Sequence, residues 1–251
     1  MNFLSVENIK LTYQTPAGQT RAVKDVSFTV DRGQFVSIVG PSGCGKSTLL
    51  SCIAGITAPT EGRITFMGKA IDGINESVGY MLQSDNLLPW RSIYKNALLG
   101  LEIQNKLTGE NIRYTRQLLK KYGLWEFKDS YPAALSGGMR QRAALIRTLA
   151  VRPNLLLLDE AFSALDYQTR VNVSRDVYNI LRRENQTMVM VTHDIPERVA
   201  MSDEIIVFSD RPAVIRQKVK VEFAPDRNPV KVRADPRFQD YFDIVWREMS
   251  K

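Results

Sequence analysis

The sequence predicts an α/β protein in which a mostly parallel sheet with flanking helices carries an antiparallel β subdomain and an inserted α-helical subdomain. Two patterns predict the sheet. The runs LLLLD (155–159) and TMVMVT (187–192) are apolar almost throughout, which is typical of parallel strands buried on both faces. The runs FLSVENIKLT (3–12) and VKDVSFTV (23–30) alternate instead, which indicates half-buried antiparallel strands.

A change of period marks the insertion. Residues 92–122 show helical spacing of apolar side chains and almost no strand signal. We therefore expect one domain over 1–251, with 1–88 and 151–251 forming the α/β core and β subdomain and about 89–150 forming the helical subdomain.

The remaining elements follow from the same two periods. They are predicted as strand 34–39, helix 47–54, strands 63–68 and 79–83, helices 93–103, 110–123, 139–150 and 168–184, strands 203–209 and 213–223, and helix 235–251. The polar stretch QTPAGQT (14–20) is predicted to connect the first two strands.

Composition places the 251-residue chain among globular proteins, with 44% hydrophobic and 24% charged residues. No apolar run reaches the roughly 18 residues of a membrane span, and the alternating start predicts a strand rather than a signal peptide. The two cysteines have no partners at metal-ligand spacing, so we expect neither a disulfide nor a zinc site. The net charge of +7 is spread along the chain, which fits a solvated basic surface and an anionic partner equally well.

The turn GPSGCGKST fits the phosphate-loop pattern G-x-x-x-x-G-K-[ST] between a predicted strand and a predicted helix. Glycines allow backbone N–H groups to approach phosphates, Lys46 supplies a positive charge, and the Ser47 hydroxyl is a ligand for Mg²⁺. A turn that only connects strand to helix is the alternative. The pattern predicts a P-loop NTPase core whose nucleotide contacts are Gly40, Pro41, Ser42, Gly43, Cys44, Gly45, Lys46, Ser47 and Thr48.

Two carboxylates, Asp159 and Glu160, end the apolar strand LLLLD. Ligands of open α/β sheets bind at the carboxyl ends of the strands. Asp159 is therefore the candidate for holding Mg²⁺, and Glu160 is the candidate base that polarises the attacking water. A solvated strand end is the alternative.

The stretch LSGGMRQRAALIRTLA (135–150) predicts a helix capped by Ser136 and preceded by two glycines. Such a helix start accepts an anion, although a capped surface helix would look the same.

With GPSGCGKST before it and LLLLDEAFSALD and THD after it, LSGGMRQR resembles the signature of the ABC ATPase family over essentially the whole chain. The resemblance implies that Tyr13 stacks on adenine and that Gln83 touches Mg²⁺ or the attacking water. It further implies that Ser136, Gly137 and Gly138 contact the γ-phosphate of ATP in the opposite subunit, with Asp166 at the dimer seam. The expected cofactors are ATP and Mg²⁺, in a head-to-tail dimer.

His193 is the only histidine in the chain. A lone histidine is ordinarily structural, but this one follows a buried strand and precedes Asp194 and Glu197, which fit the N-cap and N3 positions of a helix. The resemblance identifies His193 as the residue that reaches the γ-phosphate.

The stretch MLQSDNLLPWRSIYKNALLGLEI is most similar to importer ATPases of the nitrate, sulfonate and taurine group. This resemblance implies two ATPase chains, two permease chains and an extracytoplasmic solute-binding protein at the cytoplasmic face of a membrane, without nucleic acid. Leu87–Trp90 would face the permease, or form a buried hydrophobic corner. The alternatives are an importer of another solute, such as a vitamin precursor, and a soluble ABC ATPase without a transport role.

Overall fold

The computed structural model describes residues 3–15, 18–162, 165–192, 194–224 and 227–250. The chain forms two compact units. The first unit is Met1–Asn75 with Arg175–Lys251, and the second unit is Glu76–Ser174. The predicted helical subdomain at about 89–150 falls inside the second unit, and the single-domain assignment stays a prediction.

The strands are numbered along the chain. They are β1 Leu4–Thr15, β2 Gly18–Val30, β3 Phe35–Val39, β4 Glu61–Phe66, β5 Lys69–Ala70, β6 Val78–Met81, β7 Leu155–Asp159, β8 Thr187–Val191, β9 Glu204–Phe208 and β10 Ala213–Lys220. The second unit contains β6 and β7, and the first contains the others.

The helices are also numbered along the chain. They are α1 Lys46–Ile53, α2 Ile93–Ile103, α3 Gly109–Lys121, α4 Gly137–Ala150, α5 Tyr167–Arg183, α6 Ile195–Met201 and α7 Pro236–Met249, with 3-10 turns at Trp125–Phe127, Pro132–Ala134 and Lys231–Ala234. In the described ranges, no helix combines the length and the apolar character that crossing a lipid bilayer requires.

In the first unit the strands lie in the order β5, β4, β1, β2, β10, β9, β3, β8. The β1 strand pairs antiparallel with β2 and β4, whereas β3 pairs parallel with β8 and β9. Every residue of β3 and β8 is buried. This is typical of parallel strands in a sheet whose two faces are both covered. The parallel and antiparallel portions confirm the predicted α/β class.

The first hairpin is longer than predicted. The ladder between β1 and β2 continues through Tyr13↔Thr20 and Gln14↔Gln19 to Thr15↔Gly18, inside the stretch predicted as a connection. An antiparallel ladder forms between backbone groups and needs no buried side chains, so polar residues extend it. The short strand β5 was not predicted, because two residues show no period.

In the second unit β6 and β7 form a parallel pair. A buried cluster of Leu98, Leu101 and Ala150 packs α2 against α4. The helices α2, α3 and α4 each begin at a hydroxyl that accepts a backbone N–H three residues on, from Ser92, Thr108 and Ser136 respectively.

The terminal helix α7 begins at the N-cap Asp235, and Phe238 and Val245 on one of its faces are buried. The helix therefore packs on other elements of the first unit.

Asp203, between α6 and β9, joins several parts of the first unit. One carboxylate oxygen accepts the Phe35 N–H at the start of β3 at 2.8 Å, and the other accepts Arg182 Nη2 at 2.5 Å. Arg227 Nη2 lies 3.4 Å from the same oxygen and 2.6 Å from the Ser202 carbonyl oxygen. Burial by itself lowers the pKa of Arg182, but the hydrogen bond and charge of Asp203 outweigh burial and raise it. This carboxylate therefore fixes where β3 begins.

We expect Asp203→Asn to lower the free energy of unfolding by about 2 kcal/mol, because it leaves two largely buried guanidinium groups without their counter-charge. Urea denaturation measures the change. Glu204→Gln is the matched control, since the Glu204 carboxylate accepts only a long hydrogen bond from Gln34 Nε2, at 3.4 Å. Equal stability of the two variants would contradict the assignment.

Candidate functional site

The phosphate loop joins β3 to α1 through glycines with left-handed backbone. Gly43 has a φ of 74° and Gly45, the N-cap of α1, a φ of 116°. A Cβ on Gly45 would also lie 3.0 Å from the Ala22 carbonyl oxygen in β2. Glycine is therefore required here for both conformation and space.

Lys46 is buried, and its ammonium group lies inside the loop. Its Nζ donates to the carbonyl oxygens of Gly40 at 2.8 Å and Pro41 at 2.7 Å. Ser47, the next residue, is exposed in the first turn of α1. The loop thus combines a positive charge with the N-terminus of a helix, which suits a phosphate group.

Cys44 fills the loop from inside. Its side chain is buried, and its Sγ lies 3.8 Å from Lys46 Nζ. Burial raises the pKa of the thiol above its usual value, although Lys46 opposes this. The neutral thiol adds no negative charge that would repel a phosphate.

Tyr13 lies on β1, where it pairs with Thr20 of β2, and its side chain is 41% exposed. The same β2 strand contributes Ala22 and Val23 beside Gly45. Tyr13 therefore belongs to the same unit as the phosphate loop and leaves part of its ring accessible.

The two carboxylates at the end of β7, Asp159 and Glu160, have different partners in the second unit. Asp159 is buried, and its Oδ2 accepts the hydroxyl of Tyr80 on β6 at 3.2 Å. Gln83 Nε2 donates to Glu160 Oε2 at 3.2 Å. The structure therefore brings Gln83 and Glu160 together, as expected of residues that act on one water molecule. Sequence reasoning missed Tyr80, because a tyrosine in a strand ordinarily signals packing.

Glu160 has a φ of 46°, in the left-handed region that glutamate rarely adopts. Such a conformation costs on the order of 1 kcal/mol and is concentrated at functional sites. The turn at Glu160 explains how two adjacent residues contact different partners.

The Ser136 hydroxyl caps the signature helix α4 as predicted, accepting the Met139 N–H at 3.3 Å, but the helix begins at Gly137, two residues before the predicted start. A Cβ on Gly138 would lie 2.7 Å from Thr169 Cγ2, whereas one on Gly137 would find its nearest neighbour at 3.7 Å, in Leu165. Gly138 therefore lies closely against Thr169, whereas a side chain at 137 would make only ordinary van der Waals contacts.

Asp166 is exposed at the start of α5, and its Oδ1 accepts the Thr169 N–H at 3.0 Å. This hydrogen bond lowers the pKa of the Asp166 carboxyl. Thr169 also packs against Gly138. Asp166 and the signature residue Gly138 therefore both contact Thr169.

His193 lies outside the described residues. On its C-terminal side, Asp194 caps α6 by accepting the Glu197 N–H at 3.0 Å, which confirms its predicted role. The Asp194 N–H donates to Thr192 Oγ1 at 3.2 Å, and the Glu197 carboxylate pairs with Arg198 at 3.1 Å.

The segment 87–90 is buried at one end and exposed at the other. Leu87 is buried, but Trp90 is 72% exposed. An exposed indole is a common anchor of a protein–protein contact.

The chain was compared with known proteins. The family profile described as ABC transporter matches residues 23–163. An uncharacterized ABC transporter ATP-binding protein, YtlC of Bacillus subtilis (strain 168), is 47% identical over 252 residues, covering 100% of this chain and 96% of that protein.

Two further relatives carry names of importers. The taurine import ATP-binding protein TauB of Pseudomonas aeruginosa is 36% identical to this chain. The match covers 95% of this chain and 92% of that protein. The nitrate import ATP-binding protein NrtD of Synechocystis sp. is 34% identical to this chain. The match covers 96% of this chain and 93% of that protein.

Among solved structures, the ATP-binding cassette MJ0796 in a dimeric post-hydrolysis state bound to ADP and Pi has a TM-score of 0.75 and 29% sequence identity. The match covers 88% of this chain and 100% of that one. Full-length similarity to ATP-binding subunits, together with the phosphate loop, identifies the chain as an ATP-hydrolysing member of the ABC transporter family.

Proposed function

We propose that this ATPase energises the uptake of a small anionic solute, such as nitrate, an aliphatic sulfonate or taurine, through a separate permease. The observation that carries the proposal is the similarity to nitrate and taurine import proteins along nearly the whole chain. The exposed Trp90 supports a permease contact. In this arrangement the ATPase lies peripherally at the cytoplasmic face of the membrane, and an extracytoplasmic binding protein delivers the solute.

ATP binds first at the phosphate loop, residues 40–48, with the adenine stacked on Tyr13. Lys46 is already held between two loop carbonyls, so its charge is in place before the β- and γ-phosphates arrive. The backbone N–H groups of the loop and the start of α1 complete the cradle.

Hydrolysis depends on Glu160, which accepts a proton from the attacking water. The Gln83 amide, hydrogen-bonded to Glu160, orients that carboxylate and the water. His193 donates a hydrogen bond to the γ-phosphate, a role that suits imidazole because one ring nitrogen donates while the other is held.

The residues proposed for Mg²⁺ are Ser47, Gln83 and Asp159, which offer hydroxyl, amide and carboxylate oxygens. Mg²⁺ prefers such ligands and typically takes one or two carboxylates with substrate phosphates and water. The buried Asp159 carboxylate fits this pattern, and the described residues hold no group of three or more His, Cys, Asp and Glu that would form a cage of protein ligands. When bound, the ion would neutralise phosphate charge.

A second copy of the chain supplies the rest of the site. Ser136, Gly137 and Gly138 of one subunit contact the γ-phosphate bound to the other, and Asp166 lies at the seam. The exposed Ser136 supports this arrangement.

We expect Glu160→Gln to lower the hydrolysis rate by about 10² to 10⁴-fold, because the base is lost while the phosphate loop is unchanged. ATP should then hold the variant as a dimer, which light scattering detects. Turnover close to that of the unsubstituted protein would remove Glu160 from this role.

We expect His193→Ala to lower kcat at least tenfold with little change in ATP affinity, because the histidine acts after the nucleotide is bound. Lys46→Ala is the contrasting variant and should weaken ATP binding itself by about tenfold to a hundredfold, the size of a lost charged hydrogen bond. Nucleotide titration and steady-state kinetics separate the two. Equal losses of affinity and kcat in His193→Ala, with a lower melting temperature, would indicate a structural histidine.

The solute is tested by co-expressing the chain with candidate permeases and measuring ATP-dependent uptake of nitrate, taurine and a vitamin precursor into proteoliposomes. We expect uptake of one anion or sulfonate, with Glu160→Gln as the inactive control. Uptake of the vitamin precursor alone would favour the alternative importer. Stoichiometric binding to ribosomes or DNA, without a membrane partner, would favour a soluble ABC ATPase.

A further inference from the structure

The register between β6 and β7 brings Tyr80 to Asp159. In this parallel pair Tyr80 lies opposite Leu157. Residues two apart on a strand point to the same face, so Leu157 and Asp159 share the face on which the Tyr80 side chain lies. The tyrosine hydroxyl extends further along that face and donates to Asp159 Oδ2 at 3.2 Å. The hydrogen bond is therefore a consequence of how the two strands pair.

The opposite face of β6 fixes the orientation of the strand. Gly79 is buried there, and a Cβ on Gly79 would lie 2.8 Å from Thr148 Cγ2 and 2.9 Å from Pro153 Cγ. A slip of one residue would turn the Tyr80 side chain into this space, which has no room even for a methyl group. The strand therefore places Tyr80 on the face that carries Asp159. All these residues belong to the second unit.

The Tyr80 hydroxyl compensates for the burial of the Asp159 carboxylate. The aspartate is only 7% exposed. Removing a carboxylate from water is unfavourable unless hydrogen bonds or a cation compensate for the loss. A hydrogen bond to an ionised acceptor is stronger than one between neutral groups. Tyr80 therefore stabilises the carboxylate and fixes its orientation through a group of the protein itself.

The strand β6 also leads into the partner of the second carboxylate. Gln83, two residues after the end of β6, donates to Glu160 Oε2 at 3.2 Å. The short stretch 80–83 thus contacts both acidic side chains, each through a different residue. The carboxylate proposed for the cation and the carboxylate proposed for the water molecule therefore have separate hydrogen-bond partners.

A hydrogen bond on one carboxylate oxygen affects how that group binds a cation. Mg²⁺ requires near-octahedral geometry with oxygen ligands at about 2.0 Å, whereas Ca²⁺ takes about six to eight oxygens at longer distances and often binds both oxygens of one carboxylate. The Tyr80 proton occupies a lone pair of Asp159 Oδ2, which disfavours coordination through both oxygens at once. The arrangement therefore favours the smaller cation.

We propose that Tyr80 is a positioning residue that directs Asp159 to bind Mg²⁺ through one oxygen and thereby selects Mg²⁺ over Ca²⁺. The tyrosine acts through the carboxylate and not by contact with the cation. This inference rests on the proposed function, because it assumes the Mg²⁺ site at Asp159. Groups that orient a metal ligand typically contribute about tenfold to a hundredfold to metal affinity.

Cation binding can be measured without turnover. In a Glu160→Gln background, with ATP present and the protein in excess over ATP, Mn²⁺ is titrated and the free ion is measured by electron paramagnetic resonance. Mg²⁺ and Ca²⁺ are then added separately to displace Mn²⁺, which gives an affinity for each cation, and ATP alone provides the baseline. We expect Tyr80→Phe to lower the preference for Mg²⁺ over Ca²⁺ about tenfold.

Two comparisons show whether the hydroxyl acts through Asp159. Tyr94→Phe is the matched control, since Tyr94 belongs to the same unit and its hydroxyl accepts a hydrogen bond from Arg116 Nε at 3.1 Å. This variant should keep all three cation affinities. In an Asp159→Asn background, Tyr80→Phe should leave the cation preference unchanged, because the carboxylate through which the hydroxyl acts is already absent.

The outcomes separate this inference from the proposed function. If Asp159→Asn binds Mn²⁺ as tightly as the background protein, the Mg²⁺ assignment fails. If Asp159→Asn weakens Mn²⁺ binding but Tyr80→Phe keeps the full preference for Mg²⁺, only the present inference is refuted. Tyr80→Met removes the hydroxyl with a second side chain, and a melting temperature is measured for each variant. Failure of both Tyr80 variants to fold would also refute the inference, because the hydroxyl would then serve stability alone.

Discussion

The burial of strands on both faces is the constraint on which the rest of this structure depends. Every residue of β3, β7 and β8 is buried, so these strands leave almost no place for a polar group that lacks a partner. Along these three strands, groups that must meet water and nucleotide can occur only where the strand ends. The phosphate loop follows β3, Glu160 follows β7, and His193 follows β8 after one residue, so these three parts of the proposed site lie at strand ends.

Placing chemistry at strand ends requires sharp turns, and the chain makes them in two ways. In the phosphate loop the left-handed positions are glycines, because a ligand or β2 approaches the backbone there and no side chain is needed. After β7 the left-handed residue is Glu160, whose carboxylate is the base that we propose. A glutamate in that conformation lowers the stability of the fold. The turn directs the Glu160 carboxylate toward Gln83 and not along the strand toward Tyr80.

The sequence predicts the buried strands, helix caps and phosphate loop because each depends on residues close together in the chain. Ser136 and Asp194 cap helices as their spacing indicates. The contacts of Arg140 with Asp85 and of Tyr80 with Asp159 could not be predicted, since residues 55 and 79 positions apart meet only after folding. The ladder beyond Tyr13 was missed for a related reason, because backbone pairing on an exposed edge leaves no apolar period.

The cap at Ser136 does not compete with the phosphate contact that we propose for it. A hydroxyl accepts one hydrogen bond through a lone pair and donates another through its proton. Ser136 accepts the Met139 N–H through its oxygen, so its proton remains available for the phosphate contact that we propose. Capping also fixes the direction of the hydroxyl, and Arg140 fixes the carbonyl of the preceding residue. The start of α4 is therefore already arranged for the anion contact that we propose.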